Sequence, residues 1–68
     1  MNIEEAIVYA IVSTGHKMSV DRIVDTINRR RLHVRKDGKP VSIQQVYAVI
    51  MHRQDIFVKE EGGIRLMY

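Results

Sequence analysis

The sequence contains no cysteine, no tryptophan, a single proline and no long apolar run. The absence of cysteine excludes disulfides, thiolate metal sites and thiol catalysis. The longest apolar stretch, residues 6–12, is seven residues long, whereas a membrane-spanning helix needs about 20. No basic and then apolar leader opens the chain, so we expect a cytoplasmic protein that is neither secreted nor held in a membrane.

The composition is that of one small folded domain. The chain has 68 residues, and 46% of them are apolar, which is too many for a disordered tail. A chain of this length buries only about 60% of the surface that its unfolded form exposes. We therefore expect residues 1–68 to form a single domain whose stability is marginal or shared with a partner.

A first helix is predicted over residues 3–14. Asn2 and Glu5 form a capping box at its start, and Gly15 supplies the positive φ that stops it. Apolar residues recur at helical spacing along it and define a buried stripe. The stripe consists of Ile3, Ala6, Ile7, Ala10 and Ile11.

This first helix carries more apolar surface than one buried face needs. Val8, Tyr9 and Val12 lie beside the buried stripe and leave little polar surface on the helix. Two explanations stay open. Either these three residues line the edge of the core, or they form the interface of a homodimer or of a larger protein complex.

Two further helices follow from the same periodicity. Ser19 caps a helix that should end around Arg31, and Ser42 with Gln45 forms a second capping box that opens a third helix through about Arg53. The exposed side of the second helix is assigned the residues Asp21, Arg22, Asp25, Thr26 and Asn28.

The segments between the helices are predicted from turn residues. Residues 16–18 should form a short extended piece, and residues 32–41 an extended, exposed connection. Asp37-Gly38 is a turn signal, and Pro40 forbids helix just before it.

The end of the chain predicts a β-hairpin. Two β-prone runs, residues 56–60 and 64–68, flank a turn at Gly62-Gly63. Three helices, a short strand and a terminal hairpin make an α+β fold of the winged helix-turn-helix type, in which the hairpin is the wing.

The sequence is strongly basic over residues 29–39. Six cations and one carboxylate give this segment a net charge of +5 in eleven residues, which leaves −2 for the rest of a chain whose total is +3. A local basic block suits a phosphate-rich or acidic partner, while the ordinary alternative is a solvated loop that keeps the protein soluble. The cations are Arg29, Arg30, Arg31, Arg35, Lys36 and Lys39.

Four stretches of the chain resemble the HARE-type helix-turn-helix family. They are the opening helix that ends in a glycine, the strand leading into the second helix at residues 18–20, the basic extension after that helix, and residues 41–66. The last stretch includes Ser-Ile-Gln-Gln-Val-Tyr at residues 42–47. It also includes Asp-Ile-Phe-Val at residues 55–58 and Gly-Gly-Ile-Arg-Leu at residues 62–66.

The resemblance implies a function without catalysis. Domains of this family are fused to restriction enzymes, to chromatin regulators and to the delta subunit of bacterial RNA polymerase, and they serve as DNA-binding or protein-docking modules. The resemblance makes residues 42–53 the recognition helix and residues 59–65 the wing. Glu60 and Glu61 depart from the basic wing that phosphate contact requires, and so they favour protein docking.

The third helix supplies the residues that we expect to meet DNA bases. Glutamine can pair bidentately with adenine, and Gln44 is favoured as the base reader because Gln45 has a competing role in the capping box. Tyr47, His52 and Arg53 should reach phosphates. With the basic block, these residues predict weak, largely electrostatic binding to duplex DNA and a regulatory role. The alternative is a protein-interaction or self-association module without nucleic-acid binding, acting through the first helix or through Met67-Tyr68.

The sequence holds no constellation typical of an enzyme. The three histidines, at positions 16, 33 and 52, fall on different predicted elements and form no ligand pair. The serines are accounted for by helix ends, and Gly62-Gly63 is a turn rather than a phosphate-binding loop. We expect no catalytic residue, no metal, no cofactor and no small-molecule substrate.

Overall fold

The protein consists of three helices and a small antiparallel sheet of three strands. The computed structural model describes residues 1–67. Its elements are α1 (Ile3–Thr14), β1 (Lys17–Met18), α2 (Val20–Arg30), α3 (Ile43–His52), β2 (Phe57–Glu60) and β3 (Gly63–Leu66). The predicted α+β class, with a winged-helix-like layout of three helices and a C-terminal hairpin, is confirmed.

Each of the three helices begins at a residue whose side chain caps it. At α1 the Asn2 side chain accepts from the Glu5 amide at 2.8 Å, and the Asn2 amide donates to the Glu5 carboxylate at 3.0 Å. Ser42 and Gln45 make the same reciprocal pair at α3, with distances of 3.1 and 3.2 Å. Ser19 caps α2. All three predicted caps are confirmed, because each depends on residues only three positions apart.

The end of α1 is sharper than the sequence predicts. Gly15 stops the helix with φ 122°, as expected, but His16 also has a positive φ, of 76°. Two successive residues with positive φ reverse the chain within one turn. The extended piece predicted over residues 16–18 is therefore wrong at His16, and β1 contains only Lys17 and Met18.

The sheet has the order β1-β3-β2, so β3 pairs antiparallel with both neighbours. The turn between β2 and β3 is Glu61-Gly62, and Gly63 is the first residue of β3 rather than part of the turn. The predicted second run ends earlier than expected, because β3 stops at Leu66. Tyr68, which was assigned to this strand, lies outside the described residues.

The core lies between the three helices and one face of the sheet. Phe57 and Ile64 are buried, while Leu66 is half-buried. Thr26 is 4% exposed, so its assignment to the wet side of α2 is wrong. Because α2 contacts both α1 and α3, it buries a wider arc than a single apolar stripe. The buried apolar residues are Ala6, Ile7, Ala10, Ile11, Met18, Ile23, Ile27, Val41, Val46, Ile50, Phe57 and Ile64.

Gly63 lets β3 approach the end of β1 closely, which generates a prediction. A Cβ atom added at this position would lie 2.5 Å from the Met18 carbonyl oxygen, and the residue has φ +146°. Gly63→Ala should therefore lower the free energy of unfolding by about 2–5 kcal/mol, through backbone strain and overpacking together. Urea denaturation followed by circular dichroism measures the loss.

Gly38→Ala is the matched control for this variant. Gly38 also has a positive φ, of +78°, but an added Cβ would meet nothing within 4 Å. Only the backbone strain, about 1–2 kcal/mol, should be lost there. Equal destabilisation by the two variants would show that the contact with Met18 does not matter.

Candidate nucleic-acid interface

The outward face of α3 is exposed and carries no formal charge. Val46 and Ile50 point into the core, which turns the opposite side of the helix to solvent. Between Ile43 and His52 the helix contains no lysine, arginine, aspartate or glutamate. The exposed residues are Ile43, Gln44, Tyr47, Ala48, Met51 and His52. Any attraction to phosphate at this face must therefore come from neighbouring elements.

The basic connection flanks α3 on one side. Arg35 donates to the Gln45 side chain at 3.2 Å and pairs with Asp37 at 2.8 Å. Arg35, Lys36 and Gln45 line one surface hollow of about 470 Å³, together with His33, Val34 and Asp37. Two of the predicted DNA-binding cations thus lie beside the start of α3.

The wing flanks α3 on the other side. The Lys59 ammonium donates to the Tyr47 hydroxyl at 3.0 Å and lies 5.2 Å from the centre of its ring. Lys59 pairs with the buried Ile64, so both side chains lie on the core face of the sheet. Lys59, which the sequence analysis did not assign to the site, therefore adds a cation on the side of α3 opposite the basic connection.

The acidic residue Glu60 lies on the other face of the wing. Successive strand residues alternate in direction, so Glu60 points away from the face that carries Lys59. Its carboxylate accepts from Arg65 at 2.6 Å and lies 3.9 Å from the Lys17 ammonium. The hydrogen bond from Arg65 holds the pKa of Glu60 below its ordinary value. This carboxylate is neutralised within the wing.

A second basic hollow lies at the end of α2. It has a volume of about 360 Å³, and its cationic wall residues are Arg29, Arg31 and Lys39. Within the part of the chain that the structure describes, no carboxylate lines it. His33 and Val34 line both this hollow and the one beside α3, so the two adjoin. Together the two hollows reach from the end of α2 to the start of α3, and their walls carry five cations and the Asp37 carboxylate.

Arg31 has a backbone conformation that normally favours glycine. Its φ is 55° and its ψ is 42°, in the left-handed region. Its amide donates to the Asn28 carbonyl at 3.3 Å, and the Leu32 amide donates to the Ile27 carbonyl at 3.0 Å, which together form a Schellman ending. A side chain in this region costs about 1–2 kcal/mol relative to glycine. Arginine at this position therefore destabilises the fold relative to glycine.

Asn28 holds the far end of the basic connection. Its side-chain amide donates to the Val41 carbonyl at 2.9 Å, and its carbonyl oxygen accepts from the Val41 amide at 2.8 Å. Val41 itself is 3% exposed. The connection over residues 32–41 is therefore anchored at its end, and the prediction that this connection is exposed is wrong at Val41. No local signal links two residues thirteen positions apart, so the sequence analysis missed this role of Asn28.

Arg30 and Arg53 line neither of the two basic hollows. Arg30 extends towards α1, where its guanidinium carbon is 5.4 Å from the centre of the Tyr9 ring. Arg53 binds the Glu4 carboxylate at 2.6 and 2.9 Å and both carboxylate oxygens of Asp55 at 3.1 Å. The hydrogen bonds between Arg53 and Asp55 raise the pKa of Arg53 and lower that of Asp55, and the Glu4 carboxylate also raises the pKa of Arg53. Two carboxylates already neutralise Arg53, so we assign it to joining α1 with the end of α3, rather than to phosphate.

The apolar residues that lie beside the buried stripe of α1 fall into two groups. Val8 is half-buried and packs against the core, which matches the explanation that it lines the core edge. Tyr9 and Val12 are 43% and 49% exposed and, with Met1, surround a hollow of about 520 Å³. Met67, the other apolar residue considered for docking, is also exposed. Its partner in that hypothesis, Tyr68, lies outside the described residues.

Metal binding and membrane spanning each require features that can be checked over residues 1–67. No group of three or more histidine, aspartate or glutamate side chains in that range is arranged to hold a metal ion. None of the helices in the same range has the length and apolarity to cross a membrane.

The chain was compared with protein-family models, with curated proteins and with solved structures, and none of them matched. The resemblance to the HARE-type family therefore stays a prediction from the sequence.

Removing the Asn28 amide tests how the connection is held. Asn28→Ala should lower the free energy of unfolding by about 1–3 kcal/mol, because two hydrogen bonds are lost and the polar backbone of a buried residue is left unpaired. Amide hydrogen exchange at Val41 should accelerate in the variant. Urea denaturation and exchange followed by NMR measure the two effects.

Arg22→Ala is the control on the same helix. Arg22 is exposed on α2, and such a surface change should alter stability by no more than about 0.5 kcal/mol. If Asn28→Ala costs no more than this control and leaves Val41 protected, the anchoring role of Asn28 is wrong.

Proposed function

We propose that this protein is a winged-helix module that binds duplex DNA weakly and mainly by electrostatic attraction. The observation that carries the proposal is the pair of cationic flanks on either side of α3, one from the basic connection and one from Lys59. In helix-turn-helix proteins the recognition helix enters the major groove while neighbouring elements contact the phosphates of the groove walls. An uncharged helix face between two cationic flanks suits that placement.

The cations available for phosphate fall into two groups. Arg29, Arg31 and Lys39 line the hollow at the end of α2, and Arg35 and Lys36 line the adjoining hollow beside α3. Each neutralised phosphate contributes about −0.9 to the slope of log affinity against log salt, so five contacts would give a slope of about −4 to −5. Arg30 and Arg53 are left out of the proposed surface because they line neither hollow and contact Tyr9 and Glu4 instead. Arg29 and Arg35 are included because they line the hollows, although each also pairs with one carboxylate, Asp25 at 3.5 Å and Asp37 at 2.8 Å.

The direction of the wing carboxylate also supports DNA binding. The argument against a DNA-binding wing is that Glu60 and Glu61 would repel phosphate. Glu60 is paired with Arg65 on the sheet face opposite Lys59, so it does not oppose the cations beside α3. Glu61 is exposed in the turn of the hairpin, so the objection still holds for the tip of the wing. The proposal includes no catalysis, cofactor or small-molecule substrate. We place the activity in the cytoplasm and assign it a regulatory role.

Self-association is the second candidate function, and the exposed face of α1 favours it. Met1, Tyr9 and Val12 expose about half of their surfaces around one apolar hollow. Exposed apolar clusters of this kind mark interaction sites more often than single exposed residues do. The two functions are compatible, because a single copy makes few DNA contacts and a dimer would raise affinity through its second site.

The salt dependence of duplex binding tests the principal proposal. Affinity measured by fluorescence anisotropy should fall about 10²- to 10³-fold between 50 and 200 mM salt. Replacing both connection lysines, as Lys36→Gln with Lys39→Gln, should reduce the magnitude of the salt slope by about 2. Absence of binding to any duplex at 50 mM salt would overturn the proposal.

Arg30→Gln is the matched control for the lysine variant. Arg30 belongs to the same basic block but extends over Tyr9 of α1 rather than into either basic hollow. This variant should keep the affinity and salt slope of the unmodified protein. If it weakens binding as much as the lysine variant does, total charge and not the described surface is responsible.

Oligomeric state tests the second candidate. If α1 mediates self-association, light scattering should report a dimer, and Val12→Glu should produce a folded monomer because it places a carboxylate in the apolar hollow. Val8 is unsuitable for this test because it packs against the core. Met67→Glu, at the other exposed apolar site, should leave the dimer intact. A monomeric unmodified protein would contradict this candidate.

A further inference from the structure

The central stripe of α3 offers one amide and two apolar groups to a bound partner. Gln44, Ala48 and Met51 are spaced i, i+4 and i+7, so they lie along one line of the exposed face. Met51 keeps 43% of its surface exposed. The stripe lies between Tyr47, which faces the wing lysine, and Gln45, which faces Arg35.

Gln44 is placed to read a base, and its neighbour Gln45 is not. Gln45 is committed to the capping box with Ser42 and to the hydrogen bond from Arg35. Gln44 lies on the exposed side of the first turn of α3. A free carboxamide can donate to and accept from the N6 and N7 positions of adenine at once.

The rest of the stripe suits thymine and lacks the usual reader of guanine. In the major groove thymine is distinguished by its C5 methyl group, which apolar side chains such as alanine contact. Guanine is read most often by arginine or lysine, and α3 contains neither. The nearest cations on the two flanks, Lys59 and Arg35, donate to Tyr47 and to Gln45.

We infer that α3 reads A·T pairs in the major groove, with Gln44 contacting adenine and with Ala48 and Met51 contacting thymine methyl groups. This inference rests on the proposed DNA binding and adds a sequence preference to it. The flanking cations supply affinity that is independent of sequence, and the uncharged stripe supplies discrimination. The cations on both sides favour DNA over an apolar protein partner at this face.

Chemically altered duplexes separate base reading from overall DNA shape. The probe is a duplex composed only of A·T pairs, measured at 50 mM salt with the full chain. Replacing every thymine by uracil removes only the methyl groups, and replacing every adenine by 7-deazaadenine removes only the N7 acceptor. Each replacement should weaken binding about 3- to 10-fold.

Two variants assign the effects to residues. Gln44→Ala should lose the response to 7-deazaadenine and keep the response to uracil, and Met51→Ala should reduce the response to uracil. Both positions are exposed, so the variants should keep the helical circular dichroism of the protein. Both should also keep the salt slope, because neither residue carries charge.

The outcomes distinguish this inference from the function on which it rests. Equal binding to the natural, uracil and 7-deazaadenine duplexes, with a steep salt slope, would overturn the base reading and leave DNA binding intact. Responses that persist unchanged in both variants would also overturn it, since other groups would then be reading the bases. No binding to any of the duplexes would overturn both. In that case the stripe would be left as a surface for a protein partner.

Discussion

The hydrogen-bond pair between the Asn28 side chain and the Val41 backbone is the constraint on which the candidate surface depends. It closes the basic connection onto the last turn of α2 and delivers Val41 to the core, one residue before the cap of α3. Gln45, which completes the capping box with Ser42, in turn accepts a hydrogen bond from Arg35. The same contacts that begin α3 therefore also place cations beside it, and fold and surface charge are coupled.

Carboxylates sort the basic residues of this molecule into two classes. Arg53 and Arg65 are paired with Glu4, Asp55 and Glu60, and they serve to join elements of the fold. In the basic block the pairs are local instead: Arg29 lies 3.5 Å from Asp25 and Arg35 lies 2.8 Å from Asp37. Within the described residues, no carboxylate lines the hollow at the end of α2. A net charge of +3 understates the charge of the basic block, because seven of the eight acidic residues lie outside residues 29–39. This distribution is what makes phosphate a suitable partner.

Sequence reasoning succeeded where the determining residues are close together in the chain. The caps at Asn2, Ser19 and Ser42 and the stop at Gly15 each depend on contacts within one helical turn, and all four occur as expected. It failed where packing between distant elements decides the environment. Thr26 was predicted on the exposed side of α2, but it is buried because α2 contacts two other helices.

By itself the sequence determined the order of the helices and the hairpin, the concentration of positive charge in one connection and the absence of charge along α3. These properties follow from local spacing and composition, so they need no knowledge of distant contacts. Only the tertiary structure decided which cations share one surface. It separated Arg53 from that surface and added Lys59 to it, because ion pairing and strand direction depend on residues far apart in the chain.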